Sequence, residues 1–145
     1  MTIIEAVRDY IKMCPYLKEF EDEIIKVNVD NLEKESTVYS IDEAVFNPIT
    51  KSFIDGSSER QFVFVFASRE DYGQDFFQNI QNIGFYDDFA TWLENNSRQG
   101  ILPNLGEGKQ ALSIKAITNG YAFQSDIDKA RYQIQIRLTY FQKNN

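Results

Sequence analysis

Close to its C-terminal end the chain alternates without a break. Between Ala130 and Phe141 the residues Tyr132, Ile134, Ile136, Leu138 and Tyr140 take every second position, and Arg131, Gln133, Gln135, Arg137 and Thr139 lie between them. A period of two over this length predicts a β-strand with one face on a core and the other on water or a partner. A helix would scatter the same apolar residues around its circumference, whereas aromatic and β-branched side chains suit a pleated, half-buried surface. A second stretch, Arg60–Arg69, is apolar on both faces through Phe62, Val63, Phe64, Val65, Phe66 and Ala67. That pattern predicts a strand at the sheet centre, with helices or another copy of the protein over its second face.

The rest of the pattern is shorter-ranged. Thr2 and Glu5 have capping-box spacing, and Ile3, Ile4, Val7, Ile11 and Cys14 recur on one face until Pro15, which predicts a helix over Thr2–Met13. Ile25, Val27 and Val29 alternate with polar residues, and Val38–Ile41 reads as another strand. With a turn at Asp30-Asn31 the two are expected to pair as a hairpin. Asp42–Glu59 holds the least pattern, yet Val45, Phe46, Ile49, Phe53 and Ile54 sit inside it; it reads as an extended loop or β-arm, or as a small strand pair at the sheet edge. Asp71–Arg98 is helical in pattern, and Asp71 or Gly73 can start it. One stripe runs through Phe76, Phe77, Ile80 and Ile83, and a second, through Phe85, Phe89, Trp92 and Leu93, resumes after Gly84, which predicts two helices or one kinked at Gly84. Gly100–Lys109 is turn-rich, Leu112, Ile114 and Ala116 mark a strand, Asn119-Gly120 is a turn dipeptide, although Tyr121-Ala122-Phe123 could continue an irregular strand, and Ser125–Asp128 leads into the last strand. Strand runs separated by a helical block predict an α+β fold, a mostly antiparallel sheet with helices packed on it, in one domain over residues 1–145 with an arm at about 42–59.

Charge and composition narrow the chemistry. The net charge is −7 with no run of like sign, which does not suit phosphate or anionic-lipid binding. No apolar run approaches the roughly 20 residues of a membrane span, and the first residues lack the features of a signal peptide, so synthesis and retention in the cytoplasm are expected. Cys14 stands alone and there is no histidine, so a thiolate–imidazole pair, a Ser-His-Asp triad and the usual zinc sites are not expected. The GEGK stretch at 106–109 lacks the first glycine and the final Ser or Thr of a phosphate loop. Asp87-Asp88, Glu21-Asp22-Glu23 and Asp42-Glu43 could serve glycoside chemistry only if the fold brought acids together; Asp87-Asp88 reads as charge at a helix start. No catalytic residue, cofactor or metal is expected. What remains is surface. The outer face of the last strand, Arg131, Gln133, Gln135 and Arg137, is material for a polar subunit interface or a solvated sheet face.

Several pieces in order resemble a known family. They are the early strand, RQFVFVFASRE running into DFFQNIQNIGFYDDFATWLE, a G-LP-L connection and SDIDKARYQIQIRLTYF at the end; Arg60-Gln61, Leu102-Pro103-x-Leu105 and Ala130-Arg131-Tyr132 carry most of the likeness. From about Val27 onward the chain is similar to the tail terminator (tail completion, or minor capsid) proteins of long-tailed bacteriophages. That resemblance implies a non-enzymatic α+β protein without cofactor. It implies a homohexameric ring on the head-proximal end of the tail tube, which stops tube polymerisation and offers a joining surface to head-completion or neck proteins, and to the sheath if the tail contracts. DNA passes through such a ring without sequence-specific binding. The protein would reside in the virion tail after assembly in the bacterial cytoplasm, away from membranes. Within this reading the 42–59 arm docks on tube or neck through Phe46, Ile49 and Phe53. Two other readings stay open: another head–tail connector or neck subunit, and a small cytoplasmic enzyme or ligand-binding domain with carboxylates converging in an aromatic-lined pocket.

Overall fold

The computed structural model describes the backbone of residues 2–17, 27–29, 32, 38–71, 76–125 and 129–144. In chain order the elements are α1 (Ile3–Ile11), β1 (Val27–Val29), β2 (Val38–Glu43), β3 (Ile49–Ser52), β4 (Ser58–Asp71), α2 (Phe76–Gln99), β5 (Lys109–Ala116), β6 (Tyr121–Ser125) and β7 (Lys129–Gln142). The frame is the antiparallel ladder between β4 and β7, in register from Ser58↔Gln142 to Asp71↔Lys129. The sheet order is β1-β2-β4-β7-β5, with β3 also on β4 and β6 also on β7. This is a mixed α+β architecture, mostly sheet, with β4 at its centre as its two-faced apolar pattern predicts.

The short strands lie end to end along the long ones. β2 and β3 share one side of β4: Glu43 pairs Phe64 and Ile49 pairs Arg60, so residues 44–48 bulge opposite 61–63. Pro48, which has no N–H to donate, falls in this bulge, where its carbonyl accepts from the Gln61 N–H at 2.9 Å. β5 and β6 share the far side of β7 in the same way. Ala116 pairs Ile136 and Tyr121 pairs Gln133, leaving 117–120 bulged opposite 134–135. There Gly120 passes so close to α2 that a Cβ would stand 2.3 Å from that of Tyr86. Asn119-Gly120 is therefore a bulge held against the helix layer and not a hairpin turn.

Pleating sends Tyr132, Ile134, Ile136 and Leu138 of β7, Phe64 and Phe66 of β4, and Tyr39 and Ile41 of β2 to one face, and all are buried. The helices cover that face. Phe66 stacks on Phe89 with ring centroids 4.6 Å apart, and Tyr10 of α1 meets Trp92 at 5.3 Å. The Tyr86 hydroxyl donates to the Tyr132 carbonyl at 2.9 Å and takes the Ser68 hydroxyl at 2.6 Å. Asn96 donates to the Tyr10 hydroxyl, which donates to the Ile101 carbonyl at 2.8 Å, tying α1, α2 and the following loop together. Thr2 caps α1 as its spacing predicts, accepting from the Glu5 N–H at 3.2 Å. At the outer side of the sheet Ser97 accepts from the Ile114 N–H and donates to the Ile114 carbonyl, at 2.9 and 2.6 Å. It closes the middle of an edge strand that would otherwise offer its backbone to another chain.

Four expectations need correction. β1 runs parallel to β2, so the two are not a hairpin; the turn expected at Asp30-Asn31 lies outside the described residues. Asp71 ends a strand instead of starting a helix, and Gly73 lies outside the described residues. Phe76–Gln99 is one helix, which sets aside the two-helix form of the expectation. Glycine weakens a helix by about 1 kcal/mol, and packing of Tyr86, Phe89 and Leu93 on the sheet carries the helix through. Because each residue turns the helix by about 100°, Ile83 falls to the side of the face that Phe89 and Leu93 bury, and it is accordingly half-exposed; the side chains of Phe76, Phe77 and Ile80 lie outside the described residues. Asp87 and Asp88 are mid-helix and exposed, not at its start.

Burial within the α1–sheet contact pushes the Cys14 thiol up to about 11, and burial also raises Tyr10 and Tyr140. An unfolded thiol releases its proton near pH 9, its ordinary value, while the folded one retains it. The contribution of Cys14 to stability is therefore complete below about pH 9 and is lost as pH rises through about 11. The urea midpoint of the wild type is expected to fall in that window, and its advantage over Cys14→Ala to narrow. A constant gap would contradict the burial of the thiol.

Candidate assembly surfaces

The second face of the sheet has no helix on it among the described residues. Its register sets residues in rows across the strands: Ser40, Ala67 and Gln133 in one, Asp42, Val65 and Gln135 in the next, and Val63, Arg137 and Lys115 further down. Arg131 lies one row beyond Gln133, beside Arg69. Its guanidinium nevertheless reaches Asp42 at 2.6 Å, a diagonal across β4. Neighbouring strands are about 4.8 Å apart, so only a long side chain can make that span, and the residue under the diagonal must be small. That residue is Ala67, fully buried. Ser40 donates to Asp42 at 2.6 Å, Arg131 donates to Gln133 at 3.0 Å, and Gln133 donates to the Tyr121 hydroxyl at 2.7 Å. The Arg131 guanidinium also lies 5.9 Å from the centre of the Phe123 ring.

Of the four interface candidates, then, the structure brings all onto one face but gives them different work. Arg131 and Gln133 are engaged inside the chain, as a latch between β2, β7 and β6. Gln135 and Arg137 are half-buried, and Arg137 pairs across the ladder with Val63 and Lys115. The partners Asp42 and Tyr121 were not foreseeable: a diagonal contact over 89 residues of chain follows from register alone. Arg131→Ala should cost about 1–2 kcal/mol in a urea titration. This is less than the roughly 3–5 kcal/mol of a fully buried pair, because the two side chains keep 18% and 23% exposure. A loss under about 0.5 kcal/mol would show the latch to be an ordinary surface pair.

The arm is a hairpin of β3 with the start of β4, the strand-pair form of the two expected. Its turn is ordered by Asp55, which accepts from the backbone and hydroxyl of Ser57, and these bonds hold its carboxyl below the usual range. Asn144 donates to the Asp55 carbonyl at 2.8 Å and lies where a side chain on Gly56, at φ +88°, would have to go. The tip is thus pinned to the end of β7. Phe46 turns inward, edge-on to Phe62 at 5.6 Å, and is an anchor to its own sheet. Ile49 and Phe53 are exposed, Phe53 resting 6.2 Å from Phe141. The most exposed apolar side chains on the arm are Val45 and Ile54. Both were visible as apolar residues in the stretch, but only the bulge and the turn decide that they point outward.

Shallow pockets lie at two places among the described residues, at the end of the sheet and on the helix layer. One, about 250 Å³, is lined by Gly108, Lys109, Gln110, Phe141 and Lys143; the other, about 220 Å³, lies between α1 and residues 102–104 with Met13 and Leu102 in its wall and Asp9 as its carboxylate. Among the described residues no three cysteine or carboxylate side chains gather, and no helix is long and apolar enough to cross a membrane. Comparison with models of protein families and with curated proteins finds no match to this chain.

Proposed function

We propose that the protein is a structural tail terminator of a long-tailed phage or phage-derived particle. It forms a homohexameric ring on the head-proximal end of the tail tube, stops tube growth and joins the tail to neck proteins. The observation that carries this reading is the pairing of a pinned arm, with Ile49, Phe53 and Ile54 outward on its hairpin and Val45 outward on the bulge before it, with a polar sheet face that no described helix covers. Exposed apolar residues held on an ordered element suit docking on a partner, and a polar face with an apolar centre suits contact between subunits. The order of sequence pieces that resembles the tail terminators supports the same reading.

Cryo-electron microscopy of tails carrying the protein tests it. A single sixfold ring at the head-proximal end is the expected result; density repeated along the tail, or none, would exclude the role and favour a connector. The arm gives a second test. Val45→Asp with Ile54→Asp should leave unfolding within about 0.5 kcal/mol of wild type, since neither side chain is buried, yet should abolish capping of tubes. Normal capping by that variant would remove the arm from the docking surface.

A further inference from the structure

The open sheet face is cationic in a molecule that is acidic as a whole. The register sets Lys51, Arg69, Lys115, Arg131 and Arg137 on it against Asp42 and Glu59, while the chain carries 15 basic and 22 acidic residues. Arg131 is satisfied by Asp42. Lys115 and Arg137 are cross-strand neighbours, and neither has a carboxylate partner among the described residues. Like charges facing each other on a sheet repel, so this corner gains from an acidic partner. Beside it lies Val65, half-buried, while Val63 in the next row is buried within the chain.

The complementary surface is on the opposite layer of the same molecule. Asp87 and Asp88 are both exposed on α2, whose one basic residue, Arg98, pairs with Glu94 at 2.8 Å. Ile83, one turn before Asp87, is half-exposed on the same side. An isoleucine with one carboxylate a turn away and a second next to that matches a valine with two cations beside it.

We propose that the open sheet face seats a second copy of this chain, through the outward side of that copy's α2, with Ile83 towards Val65 and Asp87-Asp88 towards Arg137 and Lys115. This rests on the ring reading above and supplies its subunit contact. The two patches belong to opposite layers, so each copy uses one of each. Such a contact is head-to-tail and closes into a ring or continues into a filament, in contrast to a two-fold dimer. A nucleic-acid backbone is the weaker occupant: Asp42 and Glu59 share the face, and its centre is apolar where phosphate binding needs a track of cations.

Sedimentation equilibrium on the purified full chain tests the contact. One variant reverses the sheet face (Lys115→Glu with Arg137→Glu), another the helix face (Asp87→Lys with Asp88→Lys); circular dichroism melts verify that both fold, with Arg137→Gln and Asp88→Asn as milder substitutes. Wild type is expected to associate, more weakly at high salt, and each reversed variant at least about tenfold more weakly. An equimolar mixture of the two reversed variants should recover association, because the acidic sheet of one then meets the basic helix of the other. The proposal is overturned if the variants associate as wild type does, if the mixture stays monomeric, or if wild type is monomeric up to about 1 mM. Loss of binding to a double-stranded DNA oligonucleotide in the sheet variant, with self-association intact, would overturn it in favour of nucleic acid. No tube is present in this experiment, so its failure removes this contact alone and leaves the terminator role to the imaging of tails.

Discussion

Phe89→Ala is expected to cost about 3–5 kcal/mol of folding stability, the range for deleting a buried aromatic ring. Phe89 is fully buried and stacks on Phe66 at 4.6 Å, with Trp92 at 6.0 Å and Phe85 at 6.2 Å. Its ring joins the helix layer to the centre of β4. The void left behind would be floored by a strand hydrogen-bonded on both sides, which cannot move in to fill it. Urea denaturation of the variant and of wild type gives the difference directly. Ile83→Ala, on the outward side of the same helix, is the control and should stay within about 1 kcal/mol. Equal effects at the two positions would mean that α2 does not lie on the sheet as described.

The second large effect is expected at Gly120. A methyl group there would sit 2.3 Å from Tyr86 Cβ and 2.6 Å from its Cγ, atoms at the root of a side chain where a rotamer change gives no relief. Tyr86 is also fixed at its far end, by Ser68 and the Tyr132 carbonyl. Relief therefore requires the 117–120 bulge to lift from the helix layer. Gly120→Ala should lose about 1–3 kcal/mol, and Gly120→Val more. Gly84→Ala makes the contrast: it is helical, with nothing within 4 Å of the added methyl, and alanine there should stabilise by roughly 0.4–1 kcal/mol. Melting temperatures that moved in the same direction for both would refute the placement of the bulge.

These two glycines show what local pattern can and cannot report. Gly84 interrupts a stripe and looks like a break, yet the helix runs on, because the energy of burying Tyr86, Phe89 and Leu93 exceeds the propensity loss of one residue. Asn119-Gly120 looks like a hairpin turn, yet the strand path continues, because the glycine is needed for a close approach to a helix far away in sequence. Both signals were real; what each meant depended on neighbours that local pattern does not name. The same holds at the assembly surfaces. Arg131 and Gln133 were visible as outward-facing residues of the last strand, but their engagement with Asp42 and Tyr121 arises from strand order and register. Phe46 and Phe53 were equal as apolar residues in a patternless stretch, and the fold turns one in and the other out.

The sequence by itself determined the strand period of β7 and its buried face, the central place of β4, the cap and stripe of α1 and the α+β class. Each of these follows from side chains a few residues apart, through the pleat of a strand or the turn of a helix. Only the tertiary structure decided the parallel pairing of β1, the breaking of β2/β3 and β5/β6 into rails along β4 and β7, the latch over Ala67, and the placing of Lys115 and Arg137 on the opposite layer from Asp87 and Asp88. The physical reason is that strand order and register are settled by which arrangement buries the most apolar surface and satisfies the backbone of the whole chain. That is a sum over contacts distant in sequence, which no single stretch contains.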